Sequence, residues 1–301
     1  MIRRIIDSHA HLGDIFHENR NISFKTNIKK GGYEDRFIEL EESLFTKPLF
    51  TGDPRDLDLV IDGGQYRCWE STLENLTLQL DENKMSGIVL LPCLPNTTFE
   101  EYLAASKLEP RIIPFTAADM TLPIDRMCDK LRKDIGKGAK GLKLHPVLQN
   151  VRLLDDRMYA AAKVFAEVDL PVVVHVGEGI YYHDNVDYPW CSKYGSMDDF
   201  FEFAHNLPDQ VIVGAHCAAF ADTFMEGCKG LENVYSDTSF SSINAVKNAI
   251  KVMGPDRVMF GTDYPFTYEK FNIRVIDEAL NDDPATKDKV FYGTIARLVH
   301  I

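Results

Sequence analysis

The sequence predicts an α/β protein: a (β/α)8, TIM-like barrel with a long insertion after the first strand. Two observations lead there. Eight short apolar runs alternate with stretches of helical periodicity, and polar side chains gather at the C-terminal tips of those runs. Strands alternating with helices imply right-handed crossovers and a parallel sheet, which eight units most simply close into a barrel. An open doubly wound sheet is the alternative, but no G-x-G-x-x-G loop follows any strand.

The strands are expected, in order, at Arg4 to His9, Gly87 to Leu91, Ile112 to Thr116, Gly141 to His145, Val172 to Val176, Val211 to Ala215, Val234 to Asp237 and Val258 to Thr262. The helices between them include "STLENLTLQLDENK", "IDRMCDKLRKDIGKG", "DDRMYAAAKVFAEVD", "SMDDFFEFAHNL" and "NAVKNAIKVMG", whose apolar residues recur at helical spacing. Asp155 and Ser196 read as N-caps, and Gly136, Gly138 and Gly254 as the residues that follow last turns. Residues 1–301 are read as one domain, with about 14–69 inserted as a lid that carries a helix near Asp35 to Phe45. No internal repeat or low-complexity segment interrupts the alternation.

A 45% hydrophobic and 26% charged composition is that of a globular protein with a sizeable core. The net charge of -13 repels nucleic acid and anionic membranes, so neither is an expected partner. The expected partner is a small-molecule substrate, and a homo-oligomer is left open. "MIRRII" stops at Asp7, too short for a signal-peptide core, and no stretch approaches a membrane span, so a cytoplasmic location is expected. The six cysteines form no C-x-x-C pair, which fits reduced thiols. Cys217, beside His216, reads as a small buried residue.

The first strand ends in "DSHAHLG", where alternation puts Asp7, His9 and His11 on one face. That face is poor for a core, yet two imidazoles two residues apart can grip one metal ion. Lys143 and His145 close the fourth strand, His175 the fifth and His216 the sixth, and Asp263 follows the eighth. In a barrel these tips share one mouth, where active sites are built. His17, His183, His205 and His300 have no partner at ligand spacing and read as surface or packing residues.

The stretches "IIDSHAHLG", "AKGLKLHP", "LPVVVHVGEG", "QVIVGAHC", "NVYSDTSF" and "DRVMFGTDYPF" together resemble the amidohydrolase superfamily, more narrowly the amidohydrolase-2 group of metal-dependent hydrolases and decarboxylases. One departure is Thr294 in "FYGTIARLVHI", where the family usually carries asparagine. The resemblance implies a divalent metal, zinc or alternatively manganese, on His9, His11, His175 and Asp263. It makes Asp263 both ligand and general base, and His216 an orienting or electrophilic group beside the water, or part of a second metal site. Lys143 stands where two-metal members carry a carbamylated bridging lysine. The closer members generally work with one ion, so one metal per chain is expected, with Lys143 unmodified, either donating to a substrate carboxylate or only closing the barrel interior, and His216 free to touch the metal water. Asp7 is expected to support a metal histidine or to cap its strand tip.

Specificity is expected from the insertion and from the loop Gly177 to Ser196, whose Tyr181, Tyr182, Tyr188, Trp190 and Tyr194 supply aromatic surface. Tyr182, Trp190 and Glu178 are candidate substrate contacts, and Arg67, Arg55 and Arg152 are candidates to hold an acid. The expected activity is hydrolysis of a small ester, lactone or amide by metal-activated water. The alternative is nonoxidative decarboxylation of an aromatic or unsaturated carboxylic acid. A metal-binding protein without turnover is the third reading, disfavoured because such a protein has no need of a water-activating base.

Overall fold

The computed structural model describes residues 3–17, 35–183 and 188–301. The part of the expected insertion between 18 and 34 lies outside them. The strands are β1 (Ile6–Ala10), β2 (Gly87–Leu90), β3 (Ile112–Pro114), β4 (Thr116–Ala117), β5 (Leu142–Leu144), β6 (Val172–His175), β7 (Ile212–Ala215), β8 (Val234–Asp237) and β9 (Val258–Met259). They run parallel in two sheets, ordered β1-β2-β3 and β4 through β9.

Backbone hydrogen bonds join these sheets into a closed barrel. β3 and β4 are halves of one strand interrupted at Phe115, whose N–H reaches the Leu90 carbonyl (3.0 Å) while Thr116 N–H reaches that of Gly141 (2.9 Å). The second seam lies between β1 and the chain just beyond β9. There Ser8 N–H donates to Phe260 O (2.9 Å), Asp263 N–H to His9 O (2.8 Å) and His11 N–H to Tyr264 O (2.7 Å), with a parallel bridge between Ala10 and Tyr264. Eight strand positions therefore close, at the eight places the apolar runs predict. Gly141 is required at the first seam, because a Cβ there would lie 2.1 Å from the Phe115 ring.

Inside the barrel, Ile6, Val89, Ile113, Val173, Val213 and Met259 form one apolar cluster with Ile295, Leu298 and Val299 of the C-terminal segment. Thr294 in that segment is buried, with its hydroxyl 3.4 Å from the Pro255 carbonyl, so the departure from asparagine is accommodated in place. The outer helices pack their apolar faces on the strands and begin at caps legible in the sequence. The Asp155 side chain accepts from Arg157 N–H and that of Ser196 from Asp199 N–H. Gly138, with φ at 112°, ends the helix Ile124–Lys137, whereas Gly136 lies within its last turn and not beyond it. No helix among the described residues is long and apolar enough to cross a membrane.

The insertion carries the expected helix, Arg36–Glu42, capped by Asp35, and a longer one, Asp56–Glu70, that the sequence reading missed. Gly63 and Gly64 and a weak apolar stripe hide this second helix, which tertiary ion pairs hold instead. Arg67 from its last turn reaches Asp35 (3.0 Å) and Glu41 (3.0 Å).

Glu269, fully buried where the helix Glu269–Ala279 begins, has no hydrogen-bond partner on either carboxylate oxygen. Burial, reinforced by the Asp7 carboxyl, pushes its pKa up from 4.5 to about 8. Because the folded pKa is raised, its contribution to stability is complete below pH 4.5 and is lost as pH rises through about 8. Glu269→Gln is therefore expected to stabilise the protein at pH 8 to 9 by roughly a few kcal/mol, and far less at pH 5, in denaturant melts. An equal effect at both pH values would contradict this.

Candidate active site

The strand tips bring the expected residues to one end of the barrel, on the floor of a cavity of about 660 Å³. His11, Lys143, His145, His175, His216 and Asp263 line it together with residues of the insertion. The backbone is strained at this floor: His216, Phe240 and Asp263 have φ values of 61°, 56° and 59°, left-handed positions unusual for side chains of this size.

Two second partners aim the first-strand histidines. His9 Nδ1–H donates to Asp237 Oδ2 at 3.0 Å, and His11 Nδ1–H donates to the Leu91 carbonyl at 2.7 Å. Both Nε2 atoms thus face Asp263 Oδ1, at 3.3 Å and 3.1 Å. His216 Nδ1 lies 3.3 Å from Asp263 Oδ2, and its Nε2 lies 3.2 Å from His175 Nδ1. His175 is the outlying member, since its Nε2 meets the Tyr181 hydroxyl (2.9 Å) and the Gly177 carbonyl (3.2 Å) and not the Asp263 carboxylate. Asp7 lies behind the floor, accepting from the backbone N–H of His9 (2.9 Å) and of Thr262 (3.1 Å), which ties β1 to the Asp263 turn.

Burial sets the protonation of this floor. It drives His9, His145, His175 and His216 below the ordinary imidazole value, His216 to about 4, and so keeps their lone pairs available. Burial likewise lowers Lys143, whose Nζ is 3.4 Å from His9 Nε2. For Asp263, burial pushes upward but the His9 and His216 rings outweigh it, and the carboxyl is held well below the usual range. His11 runs against burial, raised to about 9 by Cys93 and Asp263. A metal ion would displace the His11 Nε2 proton.

The donor chemistry fits a divalent metal. His9, His11 and Asp263 offer ligand atoms within 4.8 Å of one another, as do His9, His216 and Asp237. Asp263 Oδ1 and His216 Nδ1 are buried without a hydrogen-bond partner. Imidazole nitrogen with carboxylate oxygen suits zinc or manganese.

Other expected contacts fall elsewhere. Arg67 is 2% exposed, donates to the Phe266 carbonyl (2.8 Å) as well as to its two carboxylates, and does not line the cavity. It is a clamp for the insertion, not a substrate contact. Arg55 and Arg152 pair with Asp53 and Asp199, each at 2.7 Å. Tyr182 is buried away from the cavity, donating to Phe16 O (2.7 Å) and stacking on Tyr188, and Trp190 packs behind it. Tyr181 is the cavity-facing member of the pair, stacked on Phe16. Glu178 does line the cavity and is exposed at its rim. Of the histidines read as unpartnered, His17 pairs with Asp14 (2.7 Å) and His183 with Asp58 (3.1 Å) and Asp62 (2.8 Å), tying the loop after β6 to the insertion.

Asp237 and His145 were not assigned roles from the sequence. Asp237 ends a buried strand within "NVYSDTSF", and a carboxylate in that position was the available signal. The His145 ring stacks on that of His175 at 4.0 Å, which steadies it.

No curated protein is similar enough in sequence to register as a relative. Among solved structures, the chain is similar to a dihydroxybenzoic acid decarboxylase from Polaromonas sp. JS666 with bound manganese and the inhibitor 2-nitroresorcinol (14% identity, 99% of this chain and 97% of that one, TM-score 0.67). It is similar to a 5-carboxyvanillate decarboxylase from Novosphingobium aromaticivorans, complexed with manganese and 4-hydroxy-3-methoxy-5-nitrobenzoic acid (15% identity, 100% and 97% covered, TM-score 0.63). A probable 2-pyrone-4,6-dicarboxylic acid hydrolase from Acinetobacter baumannii, with citric acid bound, is similar at 14% identity, 99% of each chain and a TM-score of 0.61. At such identities these likenesses show the fold. The family is shown by the amidohydrolase model, which matches residues 6–301: this chain belongs to the amidohydrolase family.

Proposed function

We propose that this chain is a metal-dependent, nonoxidative decarboxylase of an aromatic carboxylic acid. The observation that carries the reading is the contrast between the cavity's polar floor and its walls, where Phe16, Phe37, Phe240 and Phe266 surround the histidines and Asp263. Hydrolysis must admit water as a reactant. Loss of CO2 needs none, and it gains from an environment that strips water from the carboxylate while aromatic walls hold the ring. Likeness to two manganese-bound decarboxylases supports this reading over the hydrolysis expected first.

His9, His11 and Asp263 would hold the metal, with His175 as the fourth ligand. The metal would supply a Lewis acid for the substrate's oxygens. Lys143 is left to meet the substrate carboxylate. Asp263 and His216, 3.3 Å apart, share a proton path. Asp263, ionised, would take the hydroxyl proton of a hydroxybenzoate and return it to the ring carbon that bears the carboxylate. The bond to CO2 then breaks, its electron pair returns to the ring, and the hydroxyl is reprotonated from solvent.

The test is CO2 release from a panel of hydroxybenzoic acids by manganese-loaded protein, run beside ester, lactone and amide panels. CO2 release that stops with a chelator and returns with manganese is expected. Hydrolysis without CO2 would restore the hydrolase reading, and undiminished activity after chelation would remove the metal from the account.

A further inference from the structure

The cavity is much larger than the reaction requires. A cavity of about 150 Å³ holds benzene, and this one is about 660 Å³. A single-ring acid seated on the histidines and Asp263 would leave most of the volume empty. Among the described residues, the lining of that remaining volume is mostly apolar. Its walls are Leu40, Leu49, Phe50, Val60, Ile61 and Ile180, drawn from the insertion and from the loop after β6. Phe50 and Ile180 are 55% and 44% exposed, so the apolar wall runs from the floor to the mouth. Apolar surface kept open on this scale marks a place for an apolar ligand group.

The charges constrain the other end of the ligand. Among the described residues, no arginine lines the cavity, Lys143 on the floor is the one lysine that does, and Glu178 stands at the rim. A second carboxylate near the mouth would meet Glu178 and a chain of net charge -13.

We infer that the substrate is an aromatic monocarboxylic acid carrying an apolar arm, an alkyl chain of about four or more carbons or a second aryl ring, whose carboxyl end meets the floor while the arm lies along Leu49, Val60 and Phe50. This rests on the cavity being the substrate site.

Calorimetric titration of manganese-loaded protein with 2-nitrophenol and its 5-methyl, 5-ethyl, 5-butyl and 5-hexyl derivatives, whose nitro group stands in for the carboxylate and cannot leave as CO2, tests it by binding, with CO2 release from the matching 2-hydroxybenzoic acids measured beside it. The dissociation constant is expected to fall roughly three- to four-fold per methylene through the butyl compound. That slope is expected to flatten in Val60→Asn and, for the hexyl compound, in Phe50→Ser, an exposed position whose substitution spares the core. Affinities that do not rise with arm length, a slope untouched by both variants, or no binding by any member would overturn the inference. A steep slope with no CO2 release would support the armed ligand and reject the decarboxylase. CO2 release from the unsubstituted acid with a flat slope would do the reverse.

Discussion

Asp263→Asn is expected to lower turnover by about a thousand-fold or more while the protein folds as before. Asp263 Oδ1 is the acceptor that His9 and His11 face, and Oδ2 is the partner of His216. An amide keeps the shape but gives up both the charge that draws a metal to these atoms and the group that takes and returns a proton. Loss of a general acid or base alone typically costs a hundred- to ten-thousand-fold. The fold is expected to survive because Asp263 sits at φ 59°, a left-handed position that asparagine adopts as readily as aspartate. Steady-state rates with the responsive acid, beside a thermal melt, check both halves. Activity within about ten-fold of wild type would remove Asp263 from the proton path.

Arg67→Ala is expected to release the insertion from the barrel. The guanidinium is buried against Asp35 and Glu41, which are themselves 5% and 2% exposed, and it also holds the Phe266 carbonyl. Its removal strands two buried carboxylates, a change worth about 3–5 kcal/mol where one partner of a buried pair is deleted. The loss falls on the helices Arg36–Glu42 and Asp56–Glu70, which bring Phe37, Leu40, Val60 and Ile61 to the cavity. Hydrogen exchange is expected to speed up across residues 35–70 while the barrel strands keep their protection. Arg67→Lys, which keeps the charge but not the two-pronged geometry, is expected to recover part of the loss. Unchanged exchange in Arg67→Ala would mean that apolar packing alone holds the insertion.

The barrel was legible in the sequence because a strand buried on both faces must be a short apolar run, and such runs stand apart from helices of longer period. All eight were placed, and the caps at Asp155 and Ser196 fell where side-chain chemistry demands. The floor was legible for a related reason: His9, His11, His175, His216 and Asp263 interrupt or end apolar runs where no core would tolerate them. The walls were not. Arg67 reads alike as a free cation or a clamp until its partners are known, and those lie 26 and 32 residues away. Tyr181 and Tyr182 are adjacent in a loop without period, so nothing in the sequence says which faces inward. The helix Asp56–Glu70 owes its existence to tertiary contacts that propensity does not record.

The central claim is a single divalent metal on the floor of this barrel, held through Asp263. Metal content by plasma mass spectrometry, on wild type and Asp263→Ala after manganese loading and exhaustive dialysis, tests it most directly. Wild type is expected to keep about one ion per chain, and the variant close to none. A wild-type count near zero, or one that Asp263→Ala leaves unchanged, would contradict the account. So would a count near two, which would place a second ion beside Lys143 and His216.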